Sequence, residues 1–471
     1  MSQYTDMTYA KKKKLVSEIY FKDKKRKEVY ACKDGRYKSY NPQFIAPSEK
    51  ELVQKLYENQ VWGQKSNYVE VPTDCPQRDE RMGYTGDGQV FARTGAYNFD
   101  TNDFWKNFLR DLELGQLDNT EGYVCATVPQ TGPAGIGFIS MLGWGNAVTI
   151  LPEMLYQQFG DEEALPRQYE SMKLFVEAEI RKMGKKNLWI GPSLGDWLAM
   201  GKGIAWQAMH NNPVSNAFIV HDLKVISETA ERLGKKADAD RYRRQLEATT
   251  KAYIEKFVSK KGIVAKDYQS AYIMALKFVL PEGELRELVK KNFAANIRKN
   301  GLQTGFFATE HLLPLLVEAG ETELAYDILL QEGCPGWMYQ IKCGATTTWE
   351  RWDALKPDGT VNEEKMAGSG DNMVSFNHYA FGSVGEFYYQ YILGIKPQKP
   401  GFAELHFEPY PDRRLGGVSG SYLSRAGKIE SSWKYEEDGC HISLNTPVKS
   451  EVVLPNGQRE TVEEGTYQWL C

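Results

Sequence analysis

The sequence is poor in residues that bind metals or staple a fold. Its six histidines show no ligand pairing, and its seven cysteines (Cys32, Cys75, Cys125, Cys334, Cys343, Cys440 and Cys471) are odd in number, scattered and never in CxxC spacing. This argues against a zinc site and a disulfide framework, and reduced thiols in a cytoplasmic protein are expected, with no metal and no cofactor. No apolar run approaches the length of a membrane span, and Met1 to Lys14 lack the apolar core of a secretory signal. Neither charge sign dominates, since the net charge is −4 with 25% charged residues. The basic clusters Lys11–Lys14 and Lys24–Lys27 are local, which reads as solvated surface and argues against nucleic-acid or membrane partners.

Aromatic residues, by contrast, are plentiful: 11 Trp and 27 Tyr, with several Trp in loops beside Gly, Asp and Arg. Aromatic faces in a cleft suit sugar rings, whose C–H faces are apolar and whose edges are polar, although core packing is the ordinary role of any single Trp.

Residues 1–46 read as short, extended, β-rich structure, with a hairpin signal at Asp34-Gly35 inside Glu28–Tyr40. Ser48 and Glu51 then have the spacing of a capping box. Apolar periodicity predicts twelve helices between residues 47 and 395, at about 48–61, 88–98, 101–116, 142–158, 163–183, 214–233, 237–257, 268–280, 283–298, 307–318, 322–331 and 378–393. In the fifth, Leu165, Tyr169, Met172, Phe175, Val176, Ile180 and Met183 share a face. In the seventh, Tyr242, Leu246, Tyr253 and Phe257 form one stripe.

Connections after even-numbered helices are short, and most of those after odd-numbered ones are long. Short links imply antiparallel neighbours, so every long connection emerges at one end. A mainly α, (α/α)6 barrel with a loop-rich active end is the expected architecture; an α-solenoid is the rival, but no motif repeats at a fixed period. From residue 396 to 471 short alternating runs predict a small C-terminal β-sandwich of jelly-roll type. Glu404–Phe407, Lys428–Tyr435, His441–Leu444 and Glu451–Leu454 read as strands, with turns at Asp438-Gly439 and Asn456-Gly457.

Two loops carry the densest chemistry. Residues Asp74–Asp87 hold four acids and two arginines within fourteen residues. Pro72, Pro76, Gly83 and Gly86 restrict or release the backbone there, which a merely solvated loop does not need. In Gly344–Asp353 a single carboxylate, Glu350, lies between Trp349 and Trp352; an apolar flank raises a carboxyl toward the working range of an acid or base. A Glu350–Arg351 surface pair beside core tryptophans is the competing reading. Gly143-Trp144-Gly145-Asn146, Gly195-Asp196-Trp197 and Asn377-His378 come from the same end. Two carboxylates at one cavity are what glycosidic hydrolysis requires, although local reasoning leaves Asp79 and Glu80 equal as the first.

The run Asp74–Asp87 resembles the signature of glycoside hydrolase family 78, the α-L-rhamnosidases, roughly DxPQRDERxGWTGD. The likeness continues at Gly143-Trp144-Gly145, Gly195-Asp196-Trp197, Pro335-Gly336-Trp337 and Ala345–Asp353, and extends from about Ser48 through the β module. The resemblance implies an inverting exo-glycosidase that releases terminal α-L-rhamnose from small rhamnosides or oligosaccharides. It assigns Glu80 as general acid and Glu350 as general base, with roughly 6.5–9.5 Å between the two carboxyls. It further implies substrate contacts from Asp74, Arg78, Tyr84, Asp87, Trp144, Asp196, Trp197, Trp337, Trp349 and His378.

Three departures stand out. Tyr84 replaces a more usual Trp, and Asn146 a common Asp, so a shifted sugar preference is one alternative. Only about 46 residues precede the barrel, where family members carry several β domains. Carbohydrate-binding modules and any calcium site in them are therefore expected to be absent, and a homodimer is the simplest cover for exposed barrel surface. A shortened, non-catalytic carbohydrate-binding relative is the remaining alternative.

Overall fold

Burial sorts the helices into two shells. In the computed structural model, which describes residues 51–471 apart from 79–80, 118, 120, 131–141, 192 and 365–373, every residue of the helix Thr85–Asn98 except Arg93 is buried. The helix Lys236–Phe257 buries only Ala239, Tyr242, Thr249 and Tyr253. A helix apolar all round must be enclosed, and one with a single stripe lies at the surface.

Numbered along the chain, the twelve barrel helices begin with α1 (Glu51–Asn67), α2 (Thr85–Asn98), α3 (Asn102–Leu117), α4 (Ala147–Phe159), α5 (Ala164–Met183) and α6 (Asn212–Arg232). They continue with α7 (Lys236–Phe257), α8 (Gln269–Met274, prolonged by the π turn Ala275–Val279), α9 (Glu284–Asn300), α10 (Phe306–Glu318) and α11 (Thr322–Leu329). The twelfth, α12, is irregular: a 3-10 turn Ala380–Val384, one α turn Gly385–Phe387 and a π turn Tyr388–Ile392. All twelve match the periodicity-based expectations. Short helices at Ile204–His210 and Trp337–Lys342 were not expected; both interrupt long loops.

Even-numbered helices form a closed inner ring, α2 on α4, α4 on α6, α6 on α8, α8 on α10, α10 on α12 and α12 back on α2. Odd-numbered helices pack outside them. This is the (α/α)6 barrel, and it excludes a solenoid, whose first and last helices do not meet. The stripes named from sequence face inward: Leu165, Tyr169, Met172, Phe175, Val176 and Met183 of α5 and Tyr242 and Tyr253 of α7 are buried, and Ile180, Leu246 and Phe257 are half-buried against the core. Among the described residues no helix is long and apolar enough to cross a membrane.

Eight strands follow: β1 (Ile395–Pro397), β2 (Leu405–Phe407), β3 (Gly417–Ser424), β4 (Gly427–Glu436), β5 (Gly439–Thr446), β6 (Ser450–Val453), β7 (Arg459–Val462) and β8 (Gly465–Leu470). They make two four-stranded sheets, ordered β1-β2-β6-β7 and β3-β4-β5-β8. Asp438 lies in the β4–β5 turn with Gly439 opening β5, and Asn456-Gly457 falls between β6 and β7.

This module seats on the C-terminal ends of the inner helices. Trp433 Nε1 donates to Ile392 O and Ser431 Oγ to Leu393 O, at 2.7 and 2.6 Å. Tyr97 Oη donates to Ile395 O, and Gln158 Nε2 to Tyr422 Oη. The β module thus covers part of the short-connection end, and the loop-rich end lies opposite. The expected β-rich segment 1–46, its hairpin and Ser48 lie outside the described residues.

Candidate active site

The loop between α1 and α2 is closed on itself. Asp74 N donates to Met82 O at 3.0 Å, and Met82 N returns a bond to Asp74 Oδ1 at 2.9 Å. The segment between is clipped at its neck, and Tyr379 Oη on Pro72 O ties that neck to the approach to α12. Gly83 is required sterically, since a Cβ there would lie 2.4 Å from Val128 O.

A second frame is built from residues 347–350 and 375–378, which run side by side. Glu350 N donates to Ser375 O, and His378 N to Thr348 O, each at 2.9 Å. Thr348 Oγ1 adds a bond to His378 O. This pairing holds Glu350 and His378, each 2% exposed, on the same side of the barrel mouth.

The two frames meet through charge. Arg78 grips Glu350 bidentately, Nη1 to Oε2 and Nη2 to Oε1, both at 3.0 Å, and its Nη2 lies 3.8 Å from Asp74 Oδ2. Planar fork-to-carboxylate pairing fixes orientation as well as charge. Gln77 Nε2 adds a bond to Ser375 Oγ. From the first turn of α2, Asp87 Oδ1 meets His378 Nε2 at 3.1 Å. Burial disfavours charge on His378, but the hydrogen bond and charge of Asp87, with Glu350 and Asp74 beyond, outweigh it and hold the imidazole above its usual range. Phe306 lies under that ring at 5.0 Å.

An aromatic wall stands beside this cluster. Trp144 crosses Trp197 edge-on at 6.3 Å and Phe307 at 5.0 Å. Gly86 lets the indole approach, for a Cβ would sit 2.7 Å from it. Tyr84, half-buried, bridges to Thr127 just before α2.

Of the residues expected from sequence, Asp74, Arg78, Asp87, Glu350 and His378 are drawn into one cluster. Tyr84, Trp144 and Trp197 lie along the entry to α2, which carries Asp87. Asp79 and Glu80 lie outside the described residues, and so does the expected spacing between Glu80 and Glu350.

Three candidates take a different place. Asp196 is fully buried and caps α10: Oδ1 accepts from Phe307 N and Ala308 N, and Oδ2 from Gly305 N, at 2.8 to 3.1 Å. At 0% exposure the carboxylate is turned onto the start of α10 and away from open solvent. Gly195, at φ 55°, has no room for a Cβ against Asn211, which explains the glycine in that triplet. Trp337 is 0% exposed, donates Nε1 to Phe381 O and packs edge-on to Trp352. Trp349 is 2% exposed against Phe376. The expected indole flank of Glu350 is thus replaced by Arg78, because both neighbouring tryptophans turn into the core.

Asn146 is also internal. Its Nδ2 donates to Glu179 Oε1 at 3.3 Å and to Asp222 Oδ2, and its Oδ1 accepts from Gly143 N. Burial raises both carboxyls, and the charge of Asp222 adds to the rise of Glu179, so a neutral amide between them avoids a third charge. Sequence reasoning missed Gln77 and Ser375 as positioning residues; Ser375 sits in no motif, and only the pairing of the two segments reveals it.

A cavity of about 340 Å³ runs along the barrel axis among Arg93, Glu153, His221, Lys277, Glu310 and His311, below the loop cluster. None of the six described cysteines is in a disulfide. Among the described residues the one group able to close around a metal ion is Glu436, Asp438 and His441, on the exposed β4–β5 turn.

A family profile described as the bacterial α-L-rhamnosidase six-hairpin glycosidase domain matches residues 44–392, and a bacterial α-L-rhamnosidase C-terminal domain matches 394–468. An α-L-rhamnosidase of Alteromonas sp. (strain LOR) is 36% identical over 412 residues, covering 85% of this chain and 43% of that protein. The crystal structure of Streptomyces avermitilis α-L-rhamnosidase complexed with L-rhamnose superposes with a TM-score of 0.83 at 31% identity, over 91% of this chain and 42% of that one. Native α-L-rhamnosidase from Aspergillus terreus gives a TM-score of 0.83 at 30% identity, over 91% and 50%. The chain spans less than half the length of the curated relatives it matches.

Proposed function

Because the chain belongs to the bacterial α-L-rhamnosidases, glycoside hydrolase family 78, we propose that it is an inverting exo-glycosidase that releases terminal α-L-rhamnose from small rhamnosides or oligosaccharides. The observation that carries this reading is the Arg78–Glu350 clasp at the loop-rich mouth, beside the Asp87–His378 pair and a wall of indoles.

Glu350 takes a proton from a water as that oxygen bonds to the anomeric carbon, and Glu80 gives its proton to the departing glycosidic oxygen as the old C–O bond breaks. The choice of Glu80 over Asp79 as the acid rests on the family signature in Asp74–Asp87. Asp74 and Asp87 accept from ring hydroxyls, and His378, whose Nε2 faces Asp87 and whose Nδ1 accepts from Ala380 N, orients Asp87.

Glu80→Gln and Glu350→Gln test the assignment with an aryl α-L-rhamnoside. Each is expected to lower kcat by at least about 10³-fold, since each removes one of two coupled proton transfers, while the thermal transition persists. Retention of most activity in either variant rejects it. Proton NMR of the first product tests inversion: β-L-rhamnose must appear before mutarotation.

A further inference from the structure

The axial cavity of about 340 Å³ carries chemistry that the proposed reaction does not use. Five of the six inner helices line it, with Arg93 from α2, Glu153 from α4, Lys224 from α6, Lys277 from α8 and Glu310 from α10. It faces away from the catalytic mouth. Lys277 and Glu318, both exposed, sit in the last turns of α8 and α10, at the short-connection end. Gln89 and Phe307 stand at its inner end, where Gln89 Nε2 donates to Gly143 O and Phe307 packs on Trp144.

Basic groups outnumber acidic ones on its walls: Arg93, His221, Lys224, Lys277 and Arg286 stand against Glu153, Glu310 and Glu318. Glu153 is engaged by His221 at 3.2 Å and Glu318 by Arg286 at 3.6 Å. Glu310 is raised to about 8 by burial and by the charge of Glu386, so it carries little charge near neutral pH. Lys224 and Lys277, by contrast, have no carboxylate within 4.0 Å among the described residues. Positive charge left uncompensated in a concave site attracts anions, because its low-dielectric walls focus the field. A second feature is an acceptor. Gln89 is 3% exposed, and with Nε2 committed to Gly143 O its Oε1 is buried with no hydrogen-bond partner among the described residues. Such an acceptor is costly and rare in native proteins, unless a water or ligand supplies the proton.

We propose that this cavity is a second binding site, distinct from the catalytic one, for a small hydroxylated organic anion of the sugar-acid kind. Its carboxylate faces Lys224 and Lys277, and a hydroxyl donates to Gln89 Oε1. A neutral sugar leaves the two lysines uncompensated, and a bare ion leaves Gln89 Oε1 unsatisfied; only a ligand with both groups answers both. The volume lies near the lower end of the roughly 300–1,000 Å³ of ligand pockets, which suits a single ring. The site does not depend on the rhamnosidase reading.

Isothermal titration calorimetry of the full chain tests this with three probes: D-glucuronate, D-glucose, which keeps hydroxyls without the charge, and acetate, which keeps the charge without hydroxyls. Glucuronate is expected to bind one per chain, about tenfold or more tighter than either control, the worth of a charge-assisted hydrogen bond. At a hundredfold excess over Kd it should raise Tm by about 2–3 °C. Lys224→Met and Lys277→Met combined should weaken glucuronate by about tenfold or more, with kcat/KM on an aryl α-L-rhamnoside within twofold of wild type. Both lysines are exposed, so the double variant is expected to fold, and its melt checks this. No binding of glucuronate by the wild-type chain up to about 10 mM, or an equal affinity in the double variant, overturns the site. Acetate bound as tightly as glucuronate overturns the hydroxyl contact, and glucose bound as tightly overturns the anion.

Discussion

Replacing Asp196 by Asn separates two roles for that residue, a sugar contact or a helix cap. In the structure its carboxylate is fully buried and receives three backbone N–H groups at the start of α10. An amide that keeps Oδ1 toward Phe307 and Ala308 turns an NH2 group against Gly305 N–H, which lies 2.8 Å from Oδ2. One buried donor is then unsatisfied, costing about 1–3 kcal/mol, and two charge-assisted bonds become neutral, costing about 1 kcal/mol each. Burial pushes the Asp196 carboxyl up despite its donors, so removing the charge returns part of that cost. The net expectation is a loss of about 2–4 kcal/mol. At roughly 2.1 cal/mol/K per residue the unfolding entropy of a chain this long makes 1 kcal/mol about 1 °C, so Tm should fall by about 2–4 °C. Circular dichroism melts give Tm, and KM for an aryl rhamnoside, measured well below the transition, should stay within about twofold. An unchanged Tm with KM raised tenfold or more would refute the cap and restore the sugar contact.

Three further outcomes are expected. Arg78→Lys replaces a bidentate clasp on Glu350 by a point contact, which should cost about 1.5–3 kcal/mol and lower kcat/KM on an aryl rhamnoside by about 10- to 100-fold; an unchanged value would show that the fork does not position Glu350. Gly86→Ala drives a methyl into the Trp144 ring, so KM should rise and near-ultraviolet dichroism should change at a stability cost of about 1–3 kcal/mol. Along the barrel axis, burial disfavours the charged form of His221, yet Glu153, 3.2 Å away, lifts it to about 9. Its contribution is therefore complete below the unfolded value near 6.5 and disappears as pH rises through about 9, a change on the order of 3 kcal/mol. Burial disfavours the Glu153 carboxylate but His221 holds it at about 2, so its share is lost as pH falls from the unfolded value near 4.5 through about 2. Melts from pH 6 to 10 should show the alkaline fall in wild type and a flatter slope in His221→Gln; identical slopes would rule out the pair as the cause.

Local pattern was enough to read the helices, because a 3.6-residue apolar period and capped ends are properties of the chain itself. The same holds for the alternation of long and short connections, and thus for the end that bears the site. Strands β1, β3, β7 and β8 are not among the runs read as strands, and for β3 and β8 the reason is equally local. β3 is Gly- and Ser-rich, with Gly420 set where a side chain would strike Leu393, and β8 alternates only half-buried and exposed positions at a sheet edge.

The resemblance of Asp74–Asp87 to a known signature picked out the acids and Arg78, but not what each touches. Asp196, Trp337 and Trp349 sit in motifs as conspicuous as those of Trp144 and His378, yet three-dimensional packing turns them inward. Whether a carboxylate caps a helix or faces a sugar depends on which backbone N–H groups another part of the chain brings within 3 Å. The sequence by itself determined the elements and their order, since periodicity and caps act over a few residues. Tertiary structure alone decided the partners, because Arg78 and Glu350 stand 272 residues apart and meet only when the inner ring closes.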